Sequence, residues 1–299
     1  MTSGISLSRI NHGLLAAVLA LGLGACGGGS SDGTTSSGES VPTNTPEPTE
    51  SDLTVDDWLR QVIMDKGLTG DPASTRQLSR QLPDDDPKIK LGQLLFFSHS
   101  LSGDLTSSCA SCHMPDFGGS DALSLGVGVA PVDASQAGPT RTIDSSKDLD
   151  PAADGKPNMH RNSQTVFNSA MYDRSLSFDG RVFVLDEEVK SGGKGQAIRT
   201  PESGNLTDAS QADGLLEIFT KFPLTNHNEM RGYLFSALSQ EEYREHLVAR
   251  LRGEVDTDYL SVEGSDNWLN LFQQAFDQPG AAPQDVITLV NVQRALAAY

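Results

Sequence analysis

Apolar residues in the folded part of this chain recur at spacings of three and four, the period that predicts helices. In LTVDDWLRQVIMDKG, Leu53, Val55, Trp58, Leu59, Val62 and Ile63 share one helical face, and Gly67 stops the run. A second helix opens at Asp86-Pro87, an acidic cap with proline in the first turn, and continues through KIKLGQLLFF. QADGLLEIFTKF, EMRGYLFSALS, SQEEYREHLVARL, DNWLNLFQQAF and PQDVITLVNVQRALAAY predict further helices. Alternating, strand-like runs are weak, so the expected fold class is all-α. Residues 131–158 and 191–214, rich in Gly, Ser, Asp and Pro, exceed the usual connection length. They are expected to be surface excursions or functional loops. No internal repeat is visible.

The N-terminus follows a different logic. Leu14 to Leu23, LLAAVLALGL, has only Arg9 as a basic flank and is too short to span a bilayer, which predicts a secretory signal. The run leads into Leu23-Gly24-Ala25-Cys26, which resembles a bacterial lipoprotein lipobox. That likeness implies a signal peptide over 1–25 and a diacylated Cys26. The protein would then be lipid-anchored on the periplasmic side of a Gram-negative-type cell envelope. The plainer alternative is an ordinary cleaved signal with an incidental cysteine. Residues 26–52 hold no aromatic and no basic side chain, so they bury too little to offset the entropy of ordering and are expected to form a disordered tether. Such a chain has an end-to-end distance of roughly 30 Å. Folding is expected over 53–299.

Charge narrows the partners. The 299 residues carry 22 Lys and Arg against 40 Asp and Glu, a net −18, which argues against nucleic acid and would attract a cationic partner. The plainer alternative is that the acidity only keeps the surface soluble.

The chemistry concentrates in SCASCHMPDF, where Cys109 and Cys112 are followed at once by His113. This is the c-type haem attachment pattern. Positions i and i+3 on a helical turn project to one side, so both sulfurs can reach one porphyrin, and His113 can ligate its iron. A zinc site would need a second pair of ligands, and no second Cys pair exists. A thioredoxin-like dithiol would want a strand before the first cysteine, where SLSGDLTS reads as a loop. A disulfide between residues three apart would be strained.

Three blocks carry a resemblance: LGQLLFFSHSLSGDLTSSCASCHMPDFGGSD, HRNSQTVFNSAMYDRSLSFDGR and FPLTNHNEM, in that order over about 90 to 230. They are similar to the bacterial di-haem cytochrome c peroxidase family, which includes the relatives that mature methylamine dehydrogenase. The resemblance implies a cytochrome c-like haem domain with long loops. In it Cys109 and Cys112 hold haem c and His113 is the proximal ligand. Glu229 falls on the family's catalytic glutamate beside the open haem face, and Asn162 on an asparagine that helps bind calcium. His160 is the nearest candidate for a distal ligand. The implied reaction is reduction of hydrogen peroxide to water with electrons from a small cytochrome or cupredoxin, and a homodimer is left open. Cleaving the O–O bond needs a proton taken from one oxygen and delivered to the other, a task for a carboxylate whose pKa is raised by burial. Glu229 could equally be a helix-start residue, His160 a surface loop residue and Asn162 a turn former. His99, His227 and His246 read as structural or solvated.

Departures from the family matter too. Phe178 stands where the family has an indole between its haems, Gln164 and His227 replace prolines, and Phe219 replaces a pocket glutamine. No second Cys-x-x-Cys-His follows, and the sequence stops inside VQRALAAY, an uncapped helix. A fragment lacking the second haem domain is expected, with a true one-haem protein as the alternative. Two other functions stay open: a non-catalytic electron carrier, its iron closed by Met159, His160 or Met230, and a haem enzyme that oxidises a partner protein.

Overall fold

The structure, a computed structural model, describes residues 54–68, 70, 82–157, 159–255 and 267–299. The expected signal peptide, tether and lipidated Cys26 lie outside them. Two compact units divide the chain, Met1–Val62 and Ile63–Tyr299. Helix α1, Val55–Asp65, is capped by the Thr54 hydroxyl, which accepts from the Asp57 N–H at 3.2 Å, and leaves Trp58 and Leu59 exposed. Among the described residues no helix is long and apolar enough to cross a membrane.

Helix α2, Pro87–Phe97, starts where its signals place it: the Asp86 carboxylate accepts from the Lys88 N–H at 2.8 Å, and proline fills the first turn. After α3, the single turn Cys109–Cys112, come long loops and then three short strands, β1 Ser175–Leu176, β2 Val182–Val184 and β3 Ile198–Arg199. They form an antiparallel sheet in the order β1-β2-β3, with Leu176 opposite Val182 and Val184 opposite Ile198. The chain is therefore not all-α. The strands are too short for alternation to stand out in the sequence, yet they bury Leu176, Val182, Val184 and Ile198 against Leu215 and Ile218. Those two residues lie on α4, Leu215–Phe219, which is followed by α5, Lys221–Thr225.

The main core is helical. α6 (Gln240–Arg252), α7 (Trp268–Ala275) and α9 (Leu289–Ala298) enclose Leu91, Leu95, Tyr243, Leu247, Phe272 and Val292, with α8 (Pro283–Val286) beside them. α2 and α9 approach so closely that a Cβ on Gly92 would stand 2.0 Å from the Ala295 carbonyl oxygen. Two expected helices differ. The run 283–299 is broken, because Ile287 leaves helical geometry and Thr288 caps a new start by accepting from the Asn291 N–H at 3.2 Å. The run 229–239 is not a helix: a wide turn over His227–Arg231 ends at Gly232, whose φ of 65° only glycine adopts easily.

A second kind of core holds the sheet region to α6. Lys221 lies 2.7 Å from Asp208 and 3.2 Å from Glu202, and Arg244 grips the same Glu202. Burial opposes ionisation of Asp208, but hydrogen bonds from Lys221, Ser210 and Thr200 prevail and hold its pKa at about 2.

Candidate functional site

α3 is built by its serines. The Ser108 N–H donates to the Ser111 hydroxyl at 3.0 Å, closing one turn that sets Cys109 and Cys112 on the same side. Both are free thiols. Cys109 Sγ lies 4.0 Å from Met230 Sδ, and Cys112 Sγ donates to the Val127 carbonyl at 3.4 Å. Burial pushes both thiols up to about 12.

His113 caps α3, its N–H donating to the Cys109 carbonyl at 3.0 Å. Its Nδ1 is 3.1 Å from the Gly119 carbonyl, which can only accept, so Nδ1 carries the proton and Nε2 keeps a lone pair. Burial lowers the imidazole's pKa and favours this neutral, ligating form. Gly119 has φ of 77°, and a Cβ there would meet the Phe167 ring at 2.9 Å. The loop that holds the histidine therefore needs glycine.

Glu229 arrives from the wide turn. The Asn226 carbonyl accepts from the N–H groups of Glu229 at 3.2 Å, Met230 at 3.2 Å and Arg231 at 3.0 Å, while the Gly232 N–H reaches His227 at 3.0 Å. Asn226 also caps the turn through Oδ1, accepting from the Asn228 N–H at 2.9 Å, and its Nδ2 donates to Glu229 Oε1 at 2.9 Å. Part of Glu229 reaches the surface, but protein crowds its carboxyl, and this desolvation raises its pKa while the Arg181 charge works against the rise. Two segments more than a hundred residues apart in sequence meet here, through the Cys109–Met230 sulfur contact, and the Glu229 charge raises both cysteine thiols. Gly128 fixes the approach: a Cβ on it would stand 2.0 Å from the Asn228 carbonyl oxygen.

The structure thus gathers Cys109, Cys112, His113, Glu229 and Met230. His160 stands exposed, and Met159 is tethered by its N–H to the Gly126 carbonyl at 3.4 Å. Asn162 ties two loops, its Oδ1 accepting from the Ser120 hydroxyl at 3.4 Å and its amide donating to the Leu123 carbonyl. Phe178 is exposed, with the Arg161 guanidinium 4.0 Å and the Arg181 guanidinium 5.8 Å from its ring centre. Asn226, Asp121 and Arg141 shape the site but carry no periodic signal.

Two cavities, of about 530 Å³ beside Arg181 and Arg199 and about 300 Å³ beside Tyr233 and Lys147, are not lined by the Cys109–His113 turn. Among the described residues, no three of His, Cys, Asp and Glu converge to hold a bare metal ion. The donor set nevertheless fits haem c. A porphyrin brings its own four nitrogens and asks the protein for two alkylatable thiols on one side of a turn and one neutral imidazole nitrogen. Each of these is present.

Residues 86–299 match the family model for di-haem cytochrome c peroxidase. The chain is 32% identical over 118 residues to cytochrome-c peroxidase IdrP1 of Pseudomonas sp. (strain SCT), covering 38% of this chain and 24% of that protein. IdrP1 of Denitromonas iodatirespirans is 30% identical over 118 residues, again 38% and 24% of the two lengths. IdrP2 of the same organism is 46% identical over 52 residues, 17% of this chain and 14% of that one. The chain thus spans about a quarter or less of these relatives. A solved MauG-like protein associated with microbial copper homeostasis aligns over 73% of this chain and 43% of its own, at 17% identity and a TM-score of 0.34.

Proposed function

Because the chain belongs to the di-haem cytochrome c peroxidase family, we propose that it carries one haem c at Cys109, Cys112 and His113 and serves reduction of hydrogen peroxide to water. The cysteine sulfurs bind the porphyrin edge and His113 Nε2 takes the iron. When bound, the haem supplies the iron that passes electrons from a redox partner to peroxide.

Glu229 moves the proton. Its Oε1 is occupied by the Asn226 amide, which leaves Oε2 to take a proton from one peroxide oxygen and return it to the other. The raised pKa brings this carboxylate closer to neutrality, where a general base is most effective, and Arg181 limits the rise. Asn226 orients the carboxyl, and Gly128 lets the 126–130 segment press on the turn. The observation that supports this reading most is the 4.0 Å contact of Met230 Sδ with Cys109 Sγ, which brings the turn carrying Glu229 to the attachment turn.

A small cationic cytochrome or cupredoxin is the proposed donor, supported by the net charge of −18. Lipid attachment through Cys26 on the periplasmic side of the envelope completes the proposal. The test is Glu229→Gln in haem-bearing, secreted protein. Peroxide turnover is expected to fall by about 10²–10⁴ with the Soret band unchanged. Turnover within twofold of the parent overturns the role of Glu229.

The contact of Met230 with Cys109 supports a second reading, an electron carrier with both iron faces closed. A spectrum that is low-spin and six-coordinate in both oxidation states, with no response to peroxide, would favour it. Oxidation of a partner protein instead would appear as slow peroxide consumption that requires that partner.

A further inference from the structure

Two opposite charges are buried beside the Cys112-His113 pair, and the proton-transfer scheme uses neither. Asp121 is 1% exposed and Arg141 2%. Their hydrogen bonds go to neutral groups. Asp121 accepts from the Leu123 N–H at 3.0 Å and the Ser163 hydroxyl at 3.0 Å. Arg141 donates to the carbonyls of Val127 at 2.8 Å, Gln136 at 2.8 Å, Thr106 at 2.8 Å and Gly128 at 2.6 Å, and to the Ser107 hydroxyl at 2.9 Å. Asp104 and Asp133 lie within reach of its field but spend their closest hydrogen bonds on their own loops. Among the described residues, neither Asp121 nor Arg141 has an ion-pair partner within 4.0 Å.

Both charges are wired to the attachment turn. Arg141 Nε and Cys112 Sγ donate to the same Val127 carbonyl. Asp121 follows Gly119, whose carbonyl holds His113 Nδ1, and it accepts from the hydroxyl of Ser163, the neighbour of Gln164, whose backbone lies near the imidazole. The Asp121 field reaches both His113 and Cys112, and the Arg141 field reaches Cys112.

Oxidised iron bears one more positive charge than reduced iron. A fixed negative charge in a poorly screening interior favours the oxidised form, and a fixed positive charge the reduced one. We propose that Asp121 and Arg141 are positioning residues that set the reduction potential of the haem at Cys109, Cys112 and His113, Asp121 lowering it and Arg141 raising it. This rests on the haem being attached there.

Spectroelectrochemical titration of the whole haem-bearing protein tests the pair. Asp121→Asn is expected to favour the reduced form by about tenfold, a positive shift of about 59 mV for one electron. Asp121→Glu restores the charge and the parent potential. Arg141→Lys keeps the charge and leaves the potential near the parent, whereas Arg141→Gln moves it down. If Arg141→Gln does not fold, the two aspartate variants and Arg141→Lys decide. The pair is overturned if Asp121→Asn shows an intact Soret band and a potential within twofold of the parent equilibrium. It is equally overturned if Asp121→Asn and Asp121→Glu shift together, which marks a purely structural role. A parent protein without a Soret band removes the haem reading itself and the pair with it.

Discussion

Around α2, α6, α7 and α9 most of the buried residues are apolar, Leu91, Leu95, Leu247, Phe272 and Val292 among them, with Arg250 and Gln293 as polar exceptions, whereas around Cys109–His113 Ser107, Ser108, Ser111, Asp121 and Arg141 are buried beside Ala110 and Val127. The helical region is held mainly by apolar area, at roughly 1.5–3 kcal/mol for each large side chain fully buried. The loop face is held by hydrogen bonds, each worth only about 0.5–1.5 kcal/mol net but costly to leave half made. Arg141 alone joins the 106–107, 127–128 and 136 segments. Meanwhile Phe117 and Phe167 stay exposed on that face. Its order rests on a few polar clamps, and the helices supply the rigid backing.

Four substitutions sharpen that contrast, from the largest effect down. Phe272→Ala, in the helical core, is expected to cost about 3–5 kcal/mol and lower the whole unfolding transition, measured in denaturant. Arg141→Met is expected to cost about 1–3 kcal/mol, because several buried carbonyls lose their donor. Its signature differs: amide exchange should accelerate over 104–143 far more than in α6 or α9. Equal acceleration everywhere would erase the distinction between the two regions.

Asp208→Asn addresses the ion cluster between sheet and α6. The folded pKa of Asp208 is about 2, below the ordinary aspartate value of 3.8. The stability it contributes is therefore full above about pH 4 and lost as pH falls toward 2. At one to two pKa units this is on the order of 2 kcal/mol, and the asparagine variant should show a flatter acid limb in thermal melts at pH 2–5. Glu229→Gln should have the smallest effect on stability and the opposite sign. Its folded pKa is raised, so the folded state holds the proton more tightly, and stability declines as pH rises through that raised value. The variant is expected to be slightly more stable at neutral pH, read as a higher melting temperature of the haem-bearing protein.

Much of the helical region is legible in the sequence because its signals are local. Asp86-Pro87 announces α2, and the pair Ser239 and Glu242 announces α6, where each side chain caps the other's N–H. The Cys109–His113 turn is legible for the same reason, since spacing alone defines it. What escaped depends on distant contacts. The strands of two or three residues are made by pairing, and the break at Ile287 is tied down by Arg252 Nε, which donates to its carbonyl at 2.9 Å. EMRGYLFSALS has helical periodicity, but the three-way use of the Asn226 carbonyl and the positive φ of Gly232 overrule it. Asp121 and Arg141 sit in loops without a period, and only folding buries them.

The wide turn over His227–Arg231 makes the number of residues, as well as their kinds, part of the apparatus. Its N–H groups reach back five positions, from Arg231 to Asn226 and from Gly232 to His227, each at 3.0 Å. Deleting one residue between Asn226 and Gly232 would tighten the loop to ordinary helical pitch and swing the side chains beyond the cut by about 100°. Such a chain would keep every chemical letter it needs, yet its acid would face away from the sulfurs.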